Sequence, residues 1–224
     1  MQRILEPELM DDLEQAKAYA EADFDEPNTL FVQLFVQYSR KWGGRGTILD
    51  LGCGPGDIAI RLAGAFPECE VHGLDGSEAM LDLADAAKGR AGDVGSRVRF
   101  IKGLVPSAQL PNERYDAVIS NSLLHHLHDP SLMWSTIKKY AAPGVPVFVM
   151  DLVRCETMQQ AQQLVETYAA DDPEVLRTDF YNSLLAAFEI AEVRKQLDDA
   201  GLSSLHIEQV SDRHLAVWGT MPAA

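Results

Sequence analysis

The sequence predicts a single α/β domain, and three observations carry that reading. Thr47 to Asp57, TILDLGCGPGD, runs from an apolar strand into a loop of three glycines and out into a helix. Short apolar runs then alternate with segments whose apolar residues recur at helical spacing, down to Gly219. One of those runs, Val145 to Leu152 (VPVFVMDL), is apolar enough for a strand covered on both faces. The 224 residues, 46% of them hydrophobic, suffice for one such domain, residues 1–224, with a sizeable core.

The chain opens with two helical segments. Glu8 to Ala22 places Leu9, Leu13, Ala16 and Ala20 on one face. Asp23 to Asn28, which holds Pro27, is a polar break, and Leu30 to Tyr38 is a second, more apolar helix ended by Gly43, Gly44 and Gly46. The first strand is 47–51. Gly52, Gly54 and Gly56 then let the backbone take positive φ and approach a ligand. Asp57 is placed to N-cap a helix reaching Phe66, with Ile58, Leu62 and Ala65 on its stripe.

The second strand, Glu70 to Leu74, ends in Asp75-Gly76-Ser77, and Ser77 caps a helix whose stripe is Met80, Leu83, Ala84 and Ala87. A charged linker, Lys88 to Gly95, leads to the third strand, Val98 to Lys102, and to Gly103-Leu104-Val105-Pro106. Tyr115 to Ser120 is the fourth strand. Asn121 to Pro130 (NSLLHHLHDP) follows, with Asp129 as cap of the next helix and Pro130 in its first turn. Met133 and Ile137 lie on that helix's inner stripe, and Pro143-Gly144 breaks it before the fifth strand, Val145 to Leu152. Thr157 to Ala169 is a helix with Met158, Ala161, Val165 and Tyr168 on one side. After a turn at Asp171-Asp172-Pro173, another helix opens at Phe180 and runs to Phe188. Ile190 to Ala200 is the last helix, stopped by Gly201, and Leu205 to Val210 and Leu215 to Gly219 are closing strands.

Charge and cysteine usage bound the function. Nineteen Lys and Arg against 34 Asp and Glu give a net charge of −15. No basic run is present to neutralise phosphates, which disfavours a nucleic-acid substrate. Cys53, Cys69 and Cys155 form neither a paired framework nor a C-x-x-C motif, and the N-terminus has no secretory pattern. The chain therefore reads as cytoplasmic and reduced, with no run near the roughly 20 apolar residues of a membrane span. His125, His126 and His128 invite a metal reading, but no Cys or Glu is spaced near them to complete a zinc site, so no metal is expected.

The glycine loop narrows the ligand. A phosphate loop would continue Gly-Lys-Ser/Thr, and a dinucleotide fingerprint would read G-x-G-x-x-G with no acid ahead of it. Here Asp50 precedes G-x-G-x-G. A carboxylate at that point repels pyrophosphate and suits a cation. S-adenosylmethionine (SAM) carries an amino group and a sulfonium, and the stretch resembles motif I of the class I, Rossmann-like SAM-dependent methyltransferases. The resemblance runs in order through residue 219: glycine loop, acid after the second strand, Asn/His run after the fourth, and closing hairpin. It is nearest to small-molecule methyltransferases of the quinone-biosynthesis type.

The resemblance implies a three-layer, seven-stranded sheet, mostly parallel with an antiparallel C-terminal hairpin. It implies SAM as methyl donor, S-adenosylhomocysteine (SAH) as product, and a small-molecule acceptor attacked in line. Asp50, Gly52, Cys53 and Gly54 then meet the cofactor's amino-acid end. Asp75, with Gly76, takes the ribose. Met80, Gly103 and Leu104 border the adenine, and Asn121 borders the cleft. Many relatives carry an acid after the strand-3 glycine; this chain has Leu104 there. Residues 1–46 become a helical lid bringing Tyr19 over the cofactor, or plain packing on the sheet. The insertion 153–188 becomes a roof, with Arg154, Phe180, Tyr181 and Asn182 toward the acceptor. His125 is the candidate general base, since its ordinary pKa suits neutral pH. Two alternatives stay open: a methyltransferase acting on tRNA or protein, and a SAM-binding module without catalysis. Oligomeric state is not read from the sequence.

Overall fold

The computed structural model describes residues 1–106 and 108–222. The elements follow in order: α1 (Leu13–Glu21), α2 (Asp25–Tyr38), β1 (Arg45–Leu51), α3 (Asp57–Ala65), β2 (Glu68–Asp75), α4 (Glu78–Arg90), α5 (Gly92–Gly95), β3 (Val98–Lys102) and β4 (Ala117–Asn121). A 3-10 turn (Leu124–His126) leads into α6 (Ser131–Tyr140), β5 (Pro146–Leu152), α7 (Met158–Tyr168), α8 (Glu174–Ala186), α9 (Ile190–Asp199), β6 (His206–Gln209) and β7 (His214–Thr220).

The strands form one seven-stranded sheet in the order β3-β2-β1-β4-β5-β7-β6. The first five are mutually parallel, and β7 runs antiparallel to both β5 and β6. The order reverses between β1 and β4, and a crevice opens beyond strand ends at such a switch point. Side chains alternate across β1. Leu49 and Leu51 enter one core with Trp134 of α6 and Val193 and Leu197 of α9. Ile48 enters the other with Phe31 and Phe35 of α2 and Ile58 and Leu62 of α3. The result is a three-layer sandwich.

Local differences from the sequence reading have local causes. The first helix starts at Leu13, where Asp12 accepts from the Gln15 amide at 2.9 Å. Residues before it run extended along α8, with the Ile4 amide donating to the Leu185 carbonyl at 3.0 Å. The polar break shrinks because α2 already begins at Asp25. Gly56, at φ +84°, holds the N-cap position of α3 in place of Asp57. Asp57 instead accepts from Asn28 and Arg61, both at 2.7 Å, and ties α2 to α3. Helix α8 begins six residues earlier than expected, directly after Pro173. Phe31 and Phe35 are fully buried, and Phe31 meets Phe148 edge-on with centroids 4.8 Å apart. Helix α2 is therefore a covering layer of the sheet, which leaves α1 and the segment before it as the part of 1–46 that can act as a lid. No helix among the described residues is long and apolar enough to cross a membrane.

Candidate active site

A cavity of about 1050 Å³ lies at the switch point, lined by the β1–α3 loop, the ends of β2 and β4, α1, the start of α2, α8 and the β6–β7 turn. At its base stands Asp50, 1% exposed, and neither carboxylate oxygen has a hydrogen-bond partner among the described residues. Burial and the neighbouring Asp75 push its pKa up to about 8. A buried acid held this way is satisfied by an arriving cation.

The loop glycines divide the work. A Cβ on Gly56 would stand 2.4 Å from Phe100 Cζ, so this glycine serves packing. Gly54, at φ +50°, would meet nothing within 4 Å, and its open side belongs to the cavity lining. Asp75 is fixed by two amides: one oxygen accepts from Gly54 at 2.8 Å and the other from Ser77 at 2.9 Å. Leu9 and Leu104 close over Gly76, where a Cβ would come within 2.7 Å and 2.4 Å of them. Tyr19 packs against Phe24 with centroids 4.7 Å apart, and burial together with Asp75 raises its hydroxyl to about 12.

Beyond Asn121, whose buried Oδ1 lacks a partner among the described residues, the chain turns through Ser122 at φ +55°. A non-glycine residue there is strained, and the turn swings the chain off β4 into the 3-10 turn. His125, 3% exposed, is held on both sides. Its Nδ1 lies 2.5 Å from Asp151 Oδ1 and its Nε2 lies 3.4 Å from Glu6 Oε1. Asp151 also accepts the amides of Leu124 and Leu152, each at 2.7 Å. Burial opposes the imidazolium, but Asp151 and Glu6 outweigh it and raise the His125 pKa; burial likewise opposes the Asp151 carboxylate, and His125 outweighs it.

The far wall comes from the β6–β7 turn and α7. The buried Arg213 guanidinium lies 3.4 Å over the Tyr168 ring and donates to Asp212 at 2.9 Å. His214 places Nδ1 2.9 Å from Ser211 Oγ, and burial, aided by Arg213, lowers its pKa to about 4. It is neutral at pH 7.

Comparison with known proteins fits this geometry. Residues 48–144 match the family described as "Methyltransferase domain". An uncharacterized methyltransferase of Mycobacterium tuberculosis (strain H37Rv) is 31% identical over 110 residues, 49% of this chain and 52% of that protein, so the chain spans about half the length of this curated relative. A SAM-dependent methyltransferase from Aquifex aeolicus superposes with a TM-score of 0.66 at 20% identity, over 92% of this chain and 97% of that one. The plantazolicin methyltransferase BpumL, bound to a desmethylPZN analog and SAH, gives 0.73 at 13%, over 94% and 90%. The chain has the class I SAM-dependent methyltransferase fold.

Within that methyltransferase fold the cofactor candidates gather. Asp50, Gly52, Cys53, Gly54, Asp75, Gly76, Met80, Gly103, Leu104, Asn121 and Tyr19 all line the one cavity. The acceptor candidates divide. Phe180 and His125 line it; Arg154, Tyr181 and Asn182 do not. Arg154 turns to the start of α9, pairing with Glu189 at 2.7 Å and Glu192 at 3.0 Å. Tyr181 packs into the α7–α8 core and Asn182 is exposed. Helical phase is the reason: with α8 starting at Glu174, Leu176, Asp179, Phe180 and Ser183 share the cavity face. His125, the general-base candidate, has both ring nitrogens facing carboxylates, Nδ1 toward Asp151 and Nε2 toward Glu6. Sequence reasoning missed Asp179, Ser183, Arg213 and His214. The first two were legible only from the correct start of α8, and the last two carry no local signal.

Proposed function

We propose that this chain is a SAM-dependent methyltransferase acting on a small-molecule acceptor. The observation that carries the reading is Asp50, buried at the cavity base with both oxygens unpartnered, beside the open side of Gly54. Asp50 would take the amino group of SAM, Asp75 the ribose hydroxyls, and Met80 and Leu104 the adenine. When bound, SAM supplies a methyl group already activated by its sulfonium.

This chain's own part is alignment and exclusion of water. Helices α1 and α8 roof the cavity. Its volume of about 1050 Å³ compares with roughly 300–1,000 Å³ for a typical small-ligand pocket, which leaves room for a donor and a small acceptor. Asp23, Glu26, Asp172 and Asp179 line its wall, and such a wall repels the phosphates of a tRNA. A cavity with room for both also supports turnover over a purely regulatory SAM-binding module.

His214, which lines the cavity and is neutral at pH 7, stands beside His125 as a second group able to accept an acceptor's proton. His214→Asn should keep SAM affinity and lower turnover by about 10²-fold or more; unchanged turnover would remove His214 from the mechanism. The reading as a whole is tested with methyl-tritiated SAM against a metabolite extract, bulk tRNA and a protein fraction. Label is expected in the metabolite fraction, and label confined to tRNA or protein would overturn it.

A further inference from the structure

We propose that Glu6, His125 and His126 form a site for a zinc-class divalent metal ion that fastens the N-terminal segment to the loop after β4. The expectation of no metal rested on finding no third ligand near the histidines in sequence. The fold supplies one from 119 residues away.

Glu6 Oε1 lies 3.4 Å from His125 Nε2 and 3.3 Å from His126 Nδ1, and the three ligand atoms all lie within 4.8 Å of one another. Ligands about 2.0–2.2 Å from a tetrahedral zinc stand about 3.3–3.6 Å apart, so the two edges through Glu6 already have the right length. Two histidines and one carboxylate are a borderline-soft set suited to zinc rather than to magnesium or calcium.

The surroundings are those of a metal site. Asp151 holds His125 Nδ1 at 2.5 Å, the carboxylate–histidine pairing that fixes a ligand's tautomer and turns Nε2 outward. Ser183 Oγ lies 3.1 Å and 3.2 Å from the two Glu6 oxygens and can donate to one of them, orienting that carboxylate. The Pro7 carbonyl lies 3.3 Å from His126 Nδ1, a weak alternative partner on the same segment. Arg3 donates to the carbonyls of His125 at 2.8 Å and Leu127 at 3.1 Å, so the segment is docked before any ion arrives. Both histidines line the main cavity, which gives an entry path.

The site does not depend on the methyl-transfer reading, and its test does not measure methyl transfer. Full-length protein, freed of metal by chelator and dialysed, is titrated with zinc(II) by calorimetry and with cobalt(II) by visible absorption. One equivalent is expected to bind, with the intense ligand-field bands of a tetrahedral cobalt site. His126→Ala should weaken zinc at least about 100-fold, and Glu6→Gln, which keeps the shape of the side chain, about 10–100-fold. Zinc should also slow proteolysis within residues 1–12 of the parent protein and not of His126→Ala. Circular dichroism confirms that each variant folds. Absence of a stoichiometric site, or zinc affinity equal to the parent's in both folded variants, would overturn the proposal and leave His125 paired between the Asp151 and Glu6 carboxylates.

Discussion

Asp50→Asn will lose SAM by roughly 3–5 kcal/mol, more than a hundredfold in Kd, while the protein stays folded. The size follows from removing one partner of a fully desolvated charge pair. Asp75→Ala will cost less, about 1–3 kcal/mol, because it leaves polar groups unpaired and no lone buried charge. Calorimetry showing either variant binding SAM as the parent does would sink that residue's assignment.

The same carboxyl sets a pH signature. Burial and Asp75 hold Asp50 at about 8 in the folded state, above its value of about 3.9 in an unfolded chain. The cofactor-free fold therefore keeps a proton that the unfolded chain releases. That contribution to stability is full below about pH 4 and is lost as pH rises through about 8. Asn has no such proton, so Asp50→Asn should flatten the fall of Tm across that window. SAM affinity of the parent should tighten from pH 6 to pH 8, since binding the cation expels the proton. A parent whose affinity ignores pH in that range would contradict an Asp50 held protonated.

Removing residues 1–22 will leave the sheet folded, weaken SAM by roughly 2 kcal/mol and bring turnover close to background. The cut spares α2, whose Phe31 and Phe35 belong to the sheet core. It takes away Tyr19 and Leu9 from the cavity wall and the bond from Ser77 Oγ to the Met10 carbonyl, 2.8 Å, that ties the segment to the cap of α4. It also opens the roof to water, which hinders displacement at a sulfonium. Normal turnover in the truncated chain would show that this segment packs without closing anything, and the case for an enclosed acceptor would fall with it.

Local features are legible in the amino-acid order alone. A strand, a glycine loop and a helix can be read from Thr47 to Ala65 because burial period and positive-φ glycines act over a few residues. Asp50 and Asp75 follow from the same logic, each at the end of its own strand. Even Gly54 and Gly56, alike in sequence, are separated only by the fold: one faces open space and the other meets Phe100. The tertiary structure decided the acceptor side. It placed β7 between β5 and β6, which brings Arg213 and His214 to the cavity. It started α8 at Glu174, which turned Tyr181 and Asn182 away and Asp179 and Ser183 inward. It seated Glu6 on His125 and drew Arg154 to Glu189 and Glu192. Apart from the start of α8, which follows Pro173, these leave no trace in local spacing, because they depend on contacts between segments tens to more than a hundred residues apart, and their geometry exists only once the sheet has assembled.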